Sequence, residues 1–300
     1  MYVITGATGN TGKVVATQLL AAGEKVVAVG RNEERLQPLA KQGAEPLTAD
    51  ITDRAALSRA FSGARAVYLM IPPDIASPDY VAYQQRVVGA LVEAVKQSGV
   101  KYAVTLSSIG ADKPQGTGPI GGLRRLEQEL NAVAGLNVLH LRAGYFMENT
   151  LGQAGTIHAL GKVAGPVRGD LKLPMIAAHD IGAAAAEALH KLNFSGKQTR
   201  ELLGQRDLDY NEVTAIIAKA IDKPGLSYLQ LSDEQARPAF SQLGFSASVL
   251  DGLLEMSATL NSGYIRALEK RSQENTTPTS YETFVAQQFV PLFRQMSPAA

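Results

Sequence analysis

The run Gly6-Ala7-Thr8-Gly9-Asn10-Thr11-Gly12 follows the apolar stretch Tyr2–Ile4 and opens a segment with Val15, Leu19 and Ala22 on one helical face. Few local features restrict a chain more. A strand that turns straight into a helix through glycines needs backbone tolerant of φ > 0 and a helix lying hard against the strand. The first N–H groups of that helix face outward with the helix dipole behind them, a setting that suits a phosphate. The spacing is Gly-x-x-Gly-x-x-Gly, so the usual Gly-x-Gly-x-x-Gly signature is met only approximately. Position carries the reading. Between a first strand and a first helix, the loop predicts a dinucleotide site built from Gly6, Thr8, Gly9, Asn10, Thr11 and Gly12. The bland alternative is a tight turn with an empty helix end.

The first half of the chain continues the same alternation. Strands are predicted over 25–29, 45–48, 66–70, 102–106 and 138–141, separated by helices over 33–41, 54–61, 80–98 and 123–134. That rhythm makes right-handed βαβ units, hence an α/β protein with a Rossmann-type doubly wound parallel sheet over 1–150. From about residue 145 the pattern loosens. Helical patches are predicted over 179–190, 211–221, 233–243 and 247–268, with short strands over 173–176 and 226–229. Thr279 and Glu282 form a candidate capping box for a last helix, and Asp180 a candidate cap for the helix over 179–190. This half reads as a smaller C-terminal α+β domain over 151–300, with segments near 172–192 free to return to the first domain.

Composition narrows the classes. With 45% hydrophobic and 19% charged residues, the chain has material for a core and is not disordered. Lys and Arg number 29 against 28 Asp and Glu, so no net field draws it to nucleic acid or an anionic membrane. The lack of cysteine removes disulfides, thiolate nucleophiles and Cys-ligated metals. No leader and no run of about 18 apolar residues is visible, so a cytoplasmic protein is expected. The four histidines have no ligand-like spacing, so no metal site is expected, and His140 reads as buried core.

The second strand ends in Gly30-Arg31-Asn32. A site preferring NAD places an acid here to accept from the ribose 2′-hydroxyl, and an acid repels a 2′-phosphate. Arg31, with Asn32 beside it, instead offers a forked, charge-assisted contact, so NADP(H) is the expected cofactor. Asp50 and Ile51 end the third strand, at the rim where an adenine lies; a role for Asp50 at a helix start is the alternative. Ile71 and Pro72 end the fourth strand at the expected switch point, with Pro73 beyond them on the acceptor side.

With these residues, the chain resembles the NmrA-like family of atypical short-chain dehydrogenases/reductases. The matching stretches are residues 3–12, Val29-Gly30-Arg31-Asn32, residues 48–53, and Thr105-Leu106-Ser107-Ser108. The most specific is Leu141-Arg142-Ala143-Gly144-Tyr145-Phe146-Met147-Glu148-Asn149, followed by Ala178-His179-Asp180-Ile181-Gly182 and Thr276-Thr277-Pro278-Thr279. The resemblance spans nearly the whole chain. It implies a cleft between a Rossmann domain and a small C-terminal domain, with Ser107 near the nicotinamide and Ser108, Tyr145, Phe146 and Asn149 lining the acceptor side. The aromatic pair would stack on a flat acceptor, with Asn149 donating to its oxygen. The family includes reductases of quinones and cationic dyes, and a redox-sensing regulator.

The chain departs from ordinary short-chain dehydrogenases in its acid–base machinery. None of its ten tyrosines has a lysine four residues later, and the helix expected to carry that pair reads Gly121-Gly122-Leu123-Arg124-Arg125-Leu126-Glu127. No catalytic acid or base is therefore assigned. General acid–base help is worth about 10²–10⁴ in rate, a handicap for reducing ketones but less so for quinones, which accept hydride readily. Two functions remain. One is a reductase moving hydride from NADPH to a quinone-like or other conjugated small molecule. The other is a non-catalytic sensor of NADP(H) acting through a protein partner. Either would be a monomer or homodimer. The loop 110–122, with five glycines and two prolines, is expected to be a mobile flap over the nicotinamide.

Overall fold

The computed structural model describes residues 1–296. In chain order the first half forms β1 (Tyr2–Ile4), α1 (Asn10–Ala21), β2 (Val26–Gly30), α2 (Glu33–Ala40), β3 (Glu45–Thr48) and α3 (Arg54–Phe61). Next come β4 (Ala66–Leu69), α4 (Tyr80–Ser98), β5 (Tyr102–Ser108), α5 (Ile120–Asn131) and β6 (Asn137–Ala143). The second half forms β7 (Tyr145–Phe146), α6 (Gln153–Leu160), β8 (Val163–Gly165), β9 (Leu173–Ile176), α7 (Ala178–Lys191) and β10 (Lys197–Leu202). It ends with β11 (Arg206–Leu208), α8 (Tyr210–Ala220), β12 (Tyr228–Gln230), α9 (Asp233–Gln242), α10 (Ala247–Asn261), α11 (Tyr281–Phe284) and α12 (Val290–Met296).

Among the described residues, seven strands pair in parallel in the order β10-β6-β5-β4-β1-β2-β3. The order reverses between β1 and β4, which opens a crevice at their carboxyl ends. β1, β2 and β4 are buried on both faces, which is why they are short unbroken runs of apolar residues. One face packs Val15 and Leu19 of α1, Leu36 of α2, and Ile181 and Leu189 of α7. The other packs Leu57 of α3, Val87 and Leu91 of α4, and Leu126 of α5. Three helices on each face make the doubly wound sheet that the alternation predicts.

The seventh strand lies outside the predicted sheet. Lys197–Leu202 is an edge strand whose first four residues are exposed, so it reads as polar loop; only Glu201 and Leu202 are buried. Its crossover from β6 runs through α7, which packs against α1, so the Rossmann layer extends beyond residue 150. The remainder forms a cap with its own core, centred on Met175, Val213, Ile217, Tyr281 and Phe289. A three-stranded sheet β11-β9-β7 and a pair β12-β8 lie within it.

Several local expectations are corrected. α5 starts at Ile120, so Gly121 and Gly122 are helical, and Gly122 lets the Gln84 side chain of α4 lie directly against it. α10 stops at Asn261 instead of running to 268, and residues 262–280 return across the Rossmann layer as a strap. Glu201 holds that strap, its buried carboxylate accepting from Leu268 N and Glu269 N. Asp180 does not cap its own helix. It accepts from Thr279 N at 3.0 Å and Thr279 Oγ1 at 2.7 Å, so Thr279 is unavailable for a capping box and Ser280 caps α11 in its place. The N-terminus of α7 is met by Glu148, which accepts from Ala178 N at 3.0 Å.

The glycine-rich loop is pinned, contrary to a free flap. Gly118 N donates to Glu255 of α10, and Arg124 donates to the carbonyls of Ala111 and Asp112. Gln84 donates to Pro119 O at 2.7 Å. Gly118 has φ +51, and a β-carbon there would run into the Gly252 carbonyl, so glycine is what lets loop and cap touch.

Candidate cofactor and acceptor site

The phosphate end is made of backbone. Gly6 turns at φ +61, and a β-carbon on Gly12 would strike the Gly6 carbonyl, so α1 begins in contact with the turn that launches it. Behind the turn, Thr5 Oγ1 donates to Tyr68 O and Tyr68 Oη donates to Thr11 Oγ1 at 2.9 Å, tying the loop to β4. Thr11 therefore faces inward. α1 has Gly9 at its N-cap and no side-chain cap, as α5, α6 and α7 have none, whereas α2, α3, α4, α8, α9 and α10 are each capped by an Asn, Asp or Ser side chain. Its first N–H groups are open to a ligand. On the outer side of α1, Thr8, Gly9, Asn10 and Lys13 border a groove of about 490 Å³ that reaches Glu148 and His179.

Arg31 is exposed just past the end of β2, and Arg35 in α2 is also exposed, its guanidinium 3.4 Å from Thr8 O. Arg35 went unread in the sequence because it falls inside a helix, where arginine is ordinary; its position four residues after Arg31 was the only signal. Asn32 caps α2 by accepting from Arg35 N at 2.9 Å, so its side-chain oxygen holds this corner together. Asp50 accepts from Thr52 N and Thr52 Oγ1, bonds that lower its pKa below the usual carboxylate value. The cap of α3 is Asp53. Ile51 and Ile71 have their side chains in the core, leaving only backbone at the crevice. Pro72 O accepts from Tyr83 Oη, a phenol pushed up to about 12 mainly by burial.

An ion pair joins α5 to β6. Arg142 of β6 grips Glu127 of α5 through Nε at 2.9 Å and Nη2 at 2.6 Å, and Ser107 Oγ donates to Glu127 Oε1 at 2.6 Å. Ser107 is buried with its proton given to Glu127, while Ser108 faces a cavity. Glu127 was missed because an acid on an amphipathic helix ordinarily faces water. His140 is core, as expected: Thr105 and Asn131 bond its two ring nitrogens, and burial lowers its pKa to about 4.

The acceptor side is made of side chains. One chamber of about 470 Å³ is walled by Pro73, Tyr145, Asn149, Tyr210, Leu250 and Leu254, and a neighbouring one of about 450 Å³ by Ser108, Phe146, Leu173 and Ile265. Tyr145 and Asn149 line both. The five residues expected on the acceptor side, Pro73, Ser108, Tyr145, Phe146 and Asn149, thus converge on two adjoining cavities. Tyr145 Oη lies 2.9 Å from Tyr210 Oη, and Tyr210 stacks on Tyr228 with ring centroids 4.8 Å apart. Nothing in the sequence linked residue 210 to residue 145.

The model of the NmrA-like family matches residues 2–284. The chain belongs to the NmrA-like family. Quinone oxidoreductase 2 of Escherichia coli is 31% identical over 267 residues, covering 88% of this chain and 87% of that one. A (4-alkanoyl-5-oxo-2,5-dihydrofuran-3-yl)methyl phosphate reductase of Streptomyces griseus is also 31% identical, over 80% of each chain. Among solved structures, the NADPH complex of the E. coli NADPH-dependent quinone oxidoreductase superposes with a TM-score of 0.81 at 26% identity, over 96% of this chain and 100% of that one. Triphenylmethane reductase of Citrobacter sp. shares the fold at TM-score 0.80 and 18% identity, over 96% of this chain and 100% of the other. No helix among the described residues is long and apolar enough to cross a membrane.

Proposed function

We propose that this family member is an NADP(H)-dependent reductase that passes hydride to a quinone or other conjugated small molecule. The observation that carries the reading is the chamber beside Pro73 and Tyr145. It is largely apolar, large enough for a fused aromatic ring, and is bordered by Pro73 just beyond the end of β4, the strand paired with β1. The open start of α1 and the backbone of Gly9 to Gly12 would hold the pyrophosphate, and Arg31 with Arg35 the 2′-phosphate. NADPH, when bound, supplies the hydride. The protein contributes alignment and exclusion of water, since no Tyr/Lys acid stands at the start of α5, where Arg124 is engaged in anchoring the loop. The names of the E. coli and Streptomyces relatives support a reductase of conjugated acceptors.

The test is NADPH oxidation against a panel of quinones and cationic dyes. Saturable turnover is expected. In Arg31→Ala, NADPH should bind about 10–100-fold more weakly, the loss of a charge-assisted contact, with NADH little changed; equal losses would overturn the NADP(H) preference. Tight NADPH binding with no oxidation would overturn the reductase and favour a sensor of NADP(H), a reading motivated by the missing acid.

A further inference from the structure

Tyr145 and Tyr210 carry two hydroxyl protons and share one hydrogen bond. Tyr210 is buried, and Tyr145 is the only hydrogen-bond partner of its hydroxyl among the described residues. An unsatisfied buried hydroxyl is costly, so Tyr210 donates to Tyr145. Asn149 stands on the adjoining wall of both cavities. With Tyr210 donating, the Tyr145 hydroxyl accepts that bond and donates to no other group among the described residues, so its own proton is free for a ligand, and the ring lines both cavities. Were the bond between the phenols reversed, the spare proton would belong to Tyr210, which lines the same chamber. Either direction leaves one O–H for a ligand. Tyr228, stacked behind, supplies none, because its proton goes to the carbonyls of Gly165 and Val167.

We propose that the Tyr145–Tyr210 pair is the hydrogen-bond donor that holds the oxygen of a carbonyl acceptor and stabilises the negative charge that oxygen gains as hydride arrives. The inference rests on the reductase reading and adds a residue role to it. In the step, the nicotinamide is oxidised by two electrons, the quinone becomes a hydroquinone monoanion, and water supplies the proton that completes it. The pair stays protonated throughout. Burial raises both phenols above their usual value, and Tyr210 furthest, which suits a donor that keeps its proton rather than an acid that passes it on.

The experiment compares two acceptors, a naphthoquinone, whose oxygen gains charge, and a cationic triphenylmethane dye, in which hydride goes to carbon and no oxygen is involved. Tyr145→Phe should lower kcat for the quinone about 10–100-fold and leave dye reduction and NADPH affinity unchanged. Tyr210→Phe should cause a smaller loss of about 2–10-fold with the same bias. Thermal unfolding of each variant checks the fold. Equal losses on quinone and dye, or no loss on either, would overturn the donor role. Failure of the wild type to reduce either acceptor would instead overturn the reductase reading. In that case binding of 4-nitrophenolate reads the pair directly. Tighter binding and a blue-shifted absorption in wild type relative to Tyr145→Phe would support it, and identical spectra would overturn it.

Discussion

The two ends of the crevice are built from different material. At the phosphate end, contact is made by backbone: a left-handed Gly6, a Gly12 with no room for a β-carbon, and a helix start without a cap. At the acceptor end, contact is made by side chains that meet from residues 73, 145, 210 and 250, in four separate elements or loops. Backbone shape is specified by a few residues in sequence and suits a cofactor common to many reactions. A side-chain chamber can change one wall at a time, so a single backbone-built cofactor site is compatible with many different acceptors. The Arg142–Glu127–Ser107 cluster lines neither and joins α5 to β5 and β6.

That buried ion pair gives the largest expected effect. In Glu127→Ala, Arg142 would be left as an uncompensated charge where only 14% of its side chain is exposed. Unfolding measurements should show a loss of about 3–5 kcal/mol. A loss of only a few tenths of a kcal/mol, as for an exposed pair, would break the idea that this pair holds α5 to the sheet.

The sheet should also carry the acid sensitivity. His140 has a pKa of about 4 when folded against an ordinary 6.5. Above pH 6.5 neither state holds its extra proton; between 6.5 and about 4 the unfolded chain takes it and the folded chain does not. Stability should therefore fall as the pH falls through that window, by on the order of 3 kcal/mol in total. His140→Gln should flatten this part of the profile in urea titrations; an unchanged slope would locate the sensitivity elsewhere.

Two smaller changes separate the ends. Gly12→Ala forces a β-carbon onto the Gly6 carbonyl. Overpacking of this kind costs about 1–3 kcal/mol, so NADPH binding should weaken about 10–100-fold while acceptor KM holds. Phe240→Ala removes one ring of the edge-to-face pair with Phe245 over the chamber, centroids 5.6 Å apart. Worth about 0.5–1.5 kcal/mol, it should raise acceptor KM a few-fold and leave NADPH affinity alone.

The same contrast explains what could be read without a structure. The glycine loop, Arg31 and the strand–helix rhythm are local, so their physics shows within about ten residues. Tyr145, Phe146 and Asn149 emerged through the resemblance, not through spacing. Tyr210 could not emerge at all, since its partner is 65 residues away and a tyrosine at the start of a helix announces nothing. The strand Lys197–Leu202 was hidden for a related reason. As an edge strand it keeps a polar, exposed face that resembles a loop.

That late strand also bears on how the molecule is made. β6 ends at Ala143 and its partner begins at Lys197, so about 50 residues, including the first part of the cap, are synthesised between them. At about 5–20 residues per second, the edge of β6 waits roughly 3–10 s on the ribosome with its N–H and C=O groups unpaired. A nascent chain at that stage is a nearly finished sheet with one open side, the point at which this protein is most exposed to pairing with the wrong strand and has most to gain from a chaperone.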